Sequence, residues 1–240
     1  MACSSNSLRR STSHGFTLVE MLISMFILVT VTGAIFQQLN QMQKTSSSEA
    51  MKLDMGQEAR EFVDQTVRDL HMAGYPSLSM YAPTMSDVTK VAVGLVSVSP
   101  TSILMEGDVN NDGNVYSVSI YYVPSDPADP NCPCVRRSAV VKVAADSLAQ
   151  PTASSYTETQ NVVPPGVGPG LSGEDLFAFY DVNGNPVPGI GTGVNIINGP
   201  DTISSISTVK INLTMLSKMR DPATGGPMGT SLSGTAKVGQ

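Results

Sequence analysis

The sequence predicts an α+β fold, in which one long N-terminal α-helix packs on a C-terminal domain built from a single antiparallel β-sheet. Three observations support this prediction. An apolar run extends from Phe16 to about Phe36, and a polar stretch without proline follows it as far as Ala73. Beyond Pro76, segments rich in Val, Ile and Tyr alternate with clusters of Pro, Gly, Asn and Asp, which is the pattern of strands joined by turns.

The apolar run has the length and composition of a membrane-spanning helix. About twenty apolar residues cross the hydrocarbon core of a bilayer as an α-helix. The only charged residue in this run is Glu20. A carboxylate in the middle of the lipid costs about 2.5–3.5 kcal/mol even on the most forgiving scale. We therefore expect Glu20 to have a partner.

Residues 1–15 are polar and basic and end abruptly at Gly15. A secretory signal has a shorter apolar region, no acidic residue inside it and a cleavage site on its far side, whereas the plausible cleavage site here precedes the run. A simple membrane anchor needs neither Glu20 nor a glycine at the junction. The sequence therefore predicts that residues 1–15 are a leader that is removed and that residues 16–36 are retained as a transmembrane segment.

Basic residues predict the orientation of this segment. Arg9 and Arg10 directly precede it, and the next basic residue, Lys44, lies well beyond it. Basic residues that flank a span stay on the cytoplasmic side. We therefore expect a cytoplasmic amino terminus and an exported remainder.

Residues 37–74 are predicted to continue the helix as an amphipathic half. Their apolar positions recur every three or four residues, which places them on one face of an α-helix; they are Met55, Ala59, Phe62, Thr66, Leu70 and Ala73. A continuous helix from Phe16 to Ala73 would be about 85–90 Å long at 1.5 Å per residue. Gly74 and Pro76 then supply stop signals.

Residues 75–240 are predicted to form the exported β-rich domain. Four segments have the composition and boundaries of strands, namely Lys90–Ser99, Val115–Val123, Val135–Ala144 and Ile203–Leu216. Two stretches rich in Pro, Gly, Ser and Asn are predicted to be surface loops, namely Ser147–Gly173 and Asp181–Asp201. The Gly/Ser/Thr-rich tail after Arg220 contains no packing motif.

Composition restricts the classes of function. The 240 residues are 41% hydrophobic with a net charge of −6, and the sequence pI is about 4.8. The part that follows the helix is long enough for one domain. Because the chain is acidic, and Arg136-Arg137 is too short a basic cluster, we expect no nucleic-acid partner.

Two cysteines remain once the leader is removed, Cys132 and Cys134, which flank Pro133. A structural zinc site needs four Cys or His ligands, and the only histidine beyond the leader is His71. The two cysteines are therefore predicted to be oxidised or free rather than metal ligands. Export favours a disulfide, although a bridge that closes so small a loop stabilises little. Free thiols and a bridge between subunits remain as alternatives.

The loop that contains Asp108, Asn110 and Asp112 before Gly113 resembles the first half of a calcium loop. The twelfth position is Ser119 rather than a bidentate Glu, and a predicted strand follows where a helix should exit. Asp-Gly is also an ordinary hairpin signal. We expect a turn with no metal; if calcium does bind, the ligands are Asp108, Asn110 and Asp112.

The sequence contains no recognisable catalytic set. His71 has no Cys, Ser-Asp or second histidine at a spacing that would form a nucleophilic or metal-dependent site. We therefore predict that the protein is not an enzyme.

The residues from Gly15 to Glu20, followed by Met21-Leu22-Ile23, resemble the class III signal of type IV pilins and type II secretion pseudopilins. This resemblance implies that a prepilin peptidase cleaves between Gly15 and Phe16 and methylates the new amino group of Phe16. Glu20 would then be the fifth residue of the mature chain, where the family has its assembly carboxylate. A free α-amino group is largely cationic near neutral pH, so it would pair with Glu20 of a neighbouring subunit.

Later features resemble W-type minor pilins, which are close in pattern to the J-type minor pseudopilins. They are the end of the predicted helix from Gln57 to Tyr75, the Gly107–Gly113 turn leading into Ile120–Val123, the cysteine turn before Arg136, and Leu176–Asp181.

These resemblances imply a type IV pilus minor pilin in the inner membrane and the pilus, acting in filament priming and at the tip. Its implied partners are the peptidase, other minor and major pilins, and the inner-membrane assembly platform. The alternatives are a type II secretion minor pseudopilin, a calcium- or receptor-binding adhesin on a pilin stem, and a lone membrane-anchored binding protein.

Overall fold

The computed structural model describes residues 15, 17–81, 87–130, 132–151, 154–163, 174–191, 193–222 and 224–238. The chain divides into two compact units, Met1–Ser47 and Ser48–Gln240. The described part of the first unit consists of the beginning of helix α1 and the residues just before it. The second unit contains the end of α1 and all of the strands.

Helix α1 (Leu18–Met72) confirms the predicted long N-terminal helix. Phe16, its predicted first residue, lies outside the described residues. The helix ends at the predicted stop signal because Gly74 has a φ of 84°, a value that favours a residue without a Cβ atom. The N–H of Gly74 donates to the carbonyl oxygen of Glu106 over 2.9 Å, so the chain passes from the helix directly onto a strand.

The end of α1 buries the face that the periodicity predicts. Met55 packs against the core while remaining partly exposed, and the other five predicted positions are buried: Ala59, Phe62, Thr66, Leu70 and Ala73. Two glycines let the strands approach α1. A Cβ atom on Gly107 would overlap the backbone carbonyl of Met72, and one on Gly234 would overlap the side chain of Val63.

The strands form two antiparallel sheets, so the prediction of a single sheet was wrong. The strands of the larger sheet are β1 (Leu95–Ser99), β2 (Ser102–Gly107), β3 (Tyr116–Val123), β4 (Cys134–Val141), β5 (Tyr156–Gln160) and β7 (Val194–Asn195). The smaller sheet contains β6 (Phe177–Tyr180), β8 (Thr208–Arg220) and β9 (Pro227–Lys237). Their orders are β5-β4-β3-β2-β1-β7 and β6-β8-β9.

The two sheets meet along β8. Strand β6 pairs with the first part of β8, from Thr208 to Ile211. Further along the same side of β8, the N–H of Leu216 donates to the carbonyl oxygen of Asn161, and the N–H of Val163 donates to that of Thr214. These residues directly follow β5, so the end of the larger sheet occupies the side of β8 that β6 leaves free. Side chains from both sheets and from α1 form one hydrophobic core.

Several predicted boundaries in the β-rich part need correction. Strand β5 lies inside Ser147–Gly173, which the sequence predicts to be a loop, and β7 lies inside Asp181–Asp201. Helix α3 (Pro200–Ser205) occupies the start of the predicted strand Ile203–Leu216. The tail after Arg220 contains β9, although no packing motif predicts it. For β5, β7 and β9, backbone pairing with another strand stabilises a segment whose own composition is typical of a loop. The remaining described helical turns are α2 (Leu78–Tyr81) and a 3-10 turn at Val88–Lys90.

A buried ion pair joins β2 to the end of β4. Lys142 Nζ lies 2.8 Å from Glu106 Oε2, and the two side chains are 2% and 0% exposed. Lys142 Nζ also donates to the carbonyl oxygen of Val91, and the N–H of Val93 donates to Glu106 Oε2. The charges are therefore held by partners from three segments of the chain.

A second ion pair fixes α1 to the larger sheet. Nη2 of Arg137 on β4 lies 2.8 Å from Oδ2 of Asp69 on α1, and Arg137 Nε donates to the same oxygen over 2.9 Å. Arg137 Nη1 donates to the hydroxyl of Tyr156 on β5. Gln65 Nε2 donates to Asp69 Oδ1. The carboxylate and the guanidinium thus satisfy each other where helix and sheet meet.

Glu158 on β5 lies beside this pair and makes stability depend on pH. Burial raises the pKa of its carboxyl above the usual value; Asp69 and Glu61 raise it further, whereas the positive charge of Arg137 lowers it. When the pKa of an acid is higher in the folded than in the unfolded state, the carboxyl stabilises the fold fully at pH values below its unfolded-state pKa. This contribution to the free energy of unfolding is lost as pH rises through the folded-state pKa.

We expect Glu158→Gln to raise the thermal unfolding temperature at about pH 7 and to change it little at about pH 4, near the ordinary glutamate pKa. The measurement is thermal unfolding of the full chain in detergent at both pH values. Glu49→Gln, which changes an exposed glutamate of α1, is the matched control and should have no effect at either pH. An equal shift for Glu158→Gln at both pH values would contradict the burial argument.

Candidate assembly site at the start of α1

A reciprocal set of hydrogen bonds forms the first turn of α1. The N–H of Glu20 donates to Thr17 Oγ1 over 3.3 Å. The N–H and the hydroxyl of Thr17 both donate to Glu20 Oε2, each over 3.0 Å. This is a capping box, in which an N-cap Thr and a Glu three residues later satisfy each other's backbone donors. The Thr-x-x-Glu spacing was visible in the sequence, and the sequence analysis missed it.

The Glu20 side chain is exposed, and its contacts leave part of it available. Within the described residues, its hydrogen bonds all involve Oε2, and no ion pair includes it. Gly15 is exposed two residues before the cap, with open space around its Cα. Phe16, the predicted methylated residue, lies outside the described residues. The partner that an intramembrane carboxylate requires is therefore not supplied by the described part of the chain.

The helix surface on both sides of Glu20 is apolar and uncovered. Its large apolar side chains are more than half exposed: Leu18, Val19, Met21, Leu22, Ile23, Met25, Phe26, Ile27, Leu28, Val29, Val31, Ile35 and Phe36. A contiguous exposed apolar surface of this size is typical of a membrane-facing or protein-facing segment. Of the described helices, α1 is the one long and apolar enough to cross a membrane.

The hydroxyl groups within this apolar surface are satisfied by the helix itself. Ser24 Oγ donates to the carbonyl oxygen of Glu20 over 2.7 Å, and Thr32 Oγ1 donates to that of Leu28 over 2.6 Å. Thr30 Oγ1 likewise donates to the carbonyl oxygen of the residue four positions earlier. Because an unsatisfied hydroxyl is costly in an apolar environment, these bonds suit the segment to lipid or to packing among apolar helices. Glu20 is the one charged side chain of this segment.

The candidate calcium loop forms a turn between β2 and β3. Asp108 is buried, and its Oδ1 and Oδ2 accept hydrogen bonds from the N–H groups of Asp112 and Gly113 over 3.0 and 2.9 Å. Asp112 accepts from the N–H of Asn114 and from the Tyr116 hydroxyl, which together lower the pKa of its carboxyl. Donors from the chain thus occupy the carboxylates of both aspartates. The expectation of a turn without metal stays a prediction, with calcium binding by these residues and Asn110 as its alternative.

The cysteine turn is closed by a disulfide between Cys132 and Cys134, whose Cα atoms are 4.3 Å apart. Arg136 on β4 holds the turn through Asp126 at 2.6 Å. Asp129 Oδ2 accepts from the hydroxyl of Thr157 on β5 over 2.8 Å. Together with Asp129, the two cysteines are the one group of potential metal ligands among the described residues, but in the disulfide form neither sulfur is a thiolate.

His71 lies in the last turn of α1 and is exposed. The group of potential metal ligands found in the described part of the chain does not include it.

The comparison with protein families identifies the start of α1. The model of the family described as the prokaryotic N-terminal methylation motif matches residues 10–36. These residues contain Gly15, the capping box and the exposed apolar surface. The chain carries a type IV pilin-like prepilin signal. Neither any curated protein nor any solved structure matches the chain.

This prepilin signal supports a protein of the type IV pilin or pseudopilin type. It implies processing by a prepilin peptidase and assembly with other pilins in a membrane complex. Together with the single described apolar helix, it fits a single-pass membrane-anchored protein. It also suggests a structural role rather than a catalytic one. The match ends at residue 36, so the W-type subtype rests on the resemblance of later residues alone.

Proposed function

We propose that the chain is a minor pilin of a type IV pilus, contributing to filament priming and to the filament tip. The observation that carries this proposal is the exposed Glu20 carboxylate, which forms no ion pair with any described residue, at the start of an uncovered apolar helix. A subunit with this surface is incomplete as a single chain, because its apolar side chains need lipid or other helices around them. Assembly with other pilins supplies both the apolar environment and the charge partner.

The contacts of Glu20 suggest how one carboxylate serves both the helix and the assembly. Oε2 closes the capping box with Thr17. Oε1 accepts no hydrogen bond among the described contacts, so it is available to a neighbouring subunit. Cleavage between Gly15 and Phe16 creates an α-amino group that is largely cationic near neutral pH. A pair between that group and Glu20 of the next subunit removes the cost of two unpaired charges in an apolar environment.

The resemblance of the later residues to W-type minor pilins supports a minor rather than a major subunit. In this proposal the chain resides in the inner membrane with its amino terminus in the cytoplasm and its sheets exported. Its partners are the prepilin peptidase, the inner-membrane assembly platform, and other minor and major pilins in a priming complex. Contacts between subunits, rather than catalysis, perform its function.

The first test is the intact mass and amino-terminal sequence of the protein recovered from membranes. We expect a chain that begins at N-methylated Phe16 in cells with an active prepilin peptidase and an uncut chain in cells without one. An uncut chain in both, or a cut beyond Phe36, would overturn the proposal.

Deletion of the chain should lower piliation and leave type II secretion unchanged; the opposite result would assign it to the secretion pseudopilus.

A further inference from the structure

The outer face of the larger sheet carries hydroxyl groups on its central strands. Side chains of successive strand residues point to opposite faces, and Val118 and Ile120 of β3 are buried in the hydrophobic core. The residues of β3 that alternate with them therefore face away from the core. All three carry a hydroxyl: Ser117, Ser119 and Tyr121. On the neighbouring strand β4, Ser138 lies directly opposite Ser119 and adds a fourth hydroxyl to this face.

The loop that follows β4 covers part of this face and forms a cavity with it. Gln150 fixes the loop, because its Oε1 accepts from the N–H of Val143 over 3.0 Å. Its Nε2 donates to the carbonyl oxygens of Ala144 and Asp146 over 2.9 and 2.7 Å. Ser147 of this loop and the outward serines of β3 and β4 line a cavity of about 230 Å³. The cavity is thus preformed by contacts within the chain.

Two hydroxyl groups of the cavity lack a hydrogen-bond partner. Ser117 and Ser147 are 4% and 3% exposed, and both line the cavity. Among the hydrogen bonds of the described residues, none involves either side-chain hydroxyl. The hydroxyls of Ser119 and Ser138 bond to each other over 2.8 Å, which leaves one further donor and free lone pairs on that pair. Because a buried hydroxyl without a partner is costly, the cavity suits a polar occupant.

The lining also restricts the chemistry of that occupant. The described lining residues include no charged side chain, so an ionic ligand would lack a counter-charge. A purely apolar ligand would leave the hydroxyls of Ser117 and Ser147 unpaired. A peptide cannot add to the sheet here as a strand, because β2, β3 and β4 are each paired on both sides. The other side of the lining is apolar and includes Leu104, Val140, Leu148 and Pro151.

We propose that this cavity binds one ring of an uncharged sugar, with the hydroxyls of Ser117 and Ser147 as its hydrogen-bond partners. A sugar ring combines hydroxyl groups with C–H surface, and the lining offers a counterpart to each. The cavity is smaller than the sites of about 300–1,000 Å³ that hold drug-sized ligands, which limits the occupant to a single ring. The site lies within the second compact unit, and it adds a ligand to the proposed function without depending on it.

The test is saturation-transfer NMR of the full chain in a detergent without sugar headgroups. The probe is a mixture of the methyl glycosides of glucose, galactose and mannose, and we expect saturation transfer to at least one of them. Titration of that glycoside then gives its Kd. The double variant Ser117→Ala with Ser147→Ala should raise this Kd at least tenfold, because each hydroxyl contributes a hydrogen bond to the bound sugar. Its unfolding temperature should not fall, because neither hydroxyl bonds to the described part of the chain.

The matched control is Ser46→Ala with Ser47→Ala, which changes two exposed serines of α1 and should leave the Kd unchanged. Two further probes test the chemistry of the ligand. Methyl glucuronide adds a charge to the ring, and cyclohexylmethanol lacks the ring hydroxyls, so we expect both to bind more weakly than the glycoside.

Several results would overturn the sugar site. They are the absence of saturation transfer to all three glycosides, an unchanged Kd in the Ser117 and Ser147 double variant, and equal or tighter binding of either further probe. If the double variant unfolds, Leu148→Ala decides the matter, because it shortens an exposed loop side chain that lines the cavity. It should weaken sugar binding several-fold, and an unchanged Kd would contradict the proposal. None of these outcomes bears on cleavage at Gly15 or on assembly through Glu20.

Discussion

Glu20→Ala is expected to leave cleavage and membrane insertion intact and to lower the amount of the chain in filaments by more than tenfold. The side chain lies in the exposed apolar segment, and within the described residues only Thr17 contacts its carboxylate. Loss of the carboxylate leaves the amino group of a neighbouring subunit unpaired in an apolar environment. A cost of about 2.5 kcal/mol for one unpaired charge corresponds to more than a tenfold change in an equilibrium.

Two further variants separate charge pairing from helix capping. Gln at the third helical position still closes a capping box, so Glu20→Gln keeps the local structure and removes the charge. Thr17→Ala removes the cap and keeps the carboxylate. We expect Glu20→Gln to fail in filaments as Glu20→Ala does, and Thr17→Ala to enter filaments at a level near wild type. Immunoblots of membranes and sheared filaments measure both quantities; normal incorporation of Glu20→Gln would show that the charge is dispensable.

Lys142→Met is expected to destabilise the fold by about 3–5 kcal/mol, the usual cost of breaking a buried ion pair from one side. The substitution leaves Glu106, which is fully buried, without its cation. Glu106 would then keep only the N–H of Val93, which donates to Oε2, because Oε1 has no hydrogen-bond partner among the described atoms. The carbonyl oxygen of Val91 would lose a donor as well. The measurement is denaturant unfolding of the full chain in detergent near neutral pH.

The double variant Lys142→Met with Glu106→Gln tests the cause of that loss. It removes both charges and keeps an acceptor for the N–H of Val93, so we expect it to recover most of the stability. Lys210→Met is the exposed control, because Lys210 and its partner Glu174 are 31% and 53% exposed. Exposed pairs contribute about 0–1 kcal/mol. A loss in Lys142→Met no larger than that of Lys210→Met would contradict the account of the buried pair.

Much of α1 could be predicted because the relevant information is local. The apolar run, the three- and four-residue spacing of the buried positions from Ala59 through Phe62 and Thr66 to Leu70, and the glycine at position 74 each act within a few residues. The same reasoning could have found the capping box. It could not identify Asp69 as buried, since an acidic residue on a polar stretch is ordinarily solvated. The buried cation that pairs with it, Arg137, is distant in the chain.

The β-rich part was predicted less completely for a related reason. Strands β1, β3, β4 and β8 have the composition that the pattern requires, and the sequence predicts a segment at each. Strand β5 is short and polar and β9 is Thr-, Ser- and Gly-rich; they form because β4 and β8 provide ladders for them. Division into two sheets depends on the contacts of residues 161–163 with β8. No property of residues 161–163 or of β8, taken alone, predicts this contact.

Local order along the chain is thus sufficient to predict the leader, the signal at Gly15 to Glu20, the span and the helix, because charge, length and periodicity are properties of neighbouring residues. Tertiary structure alone decides which strands share a sheet, which carboxylates are buried, and that β9 ends the smaller sheet. These features depend on hydrogen bonds and desolvation between residues far apart in sequence, and such energies exist only once the chain has folded.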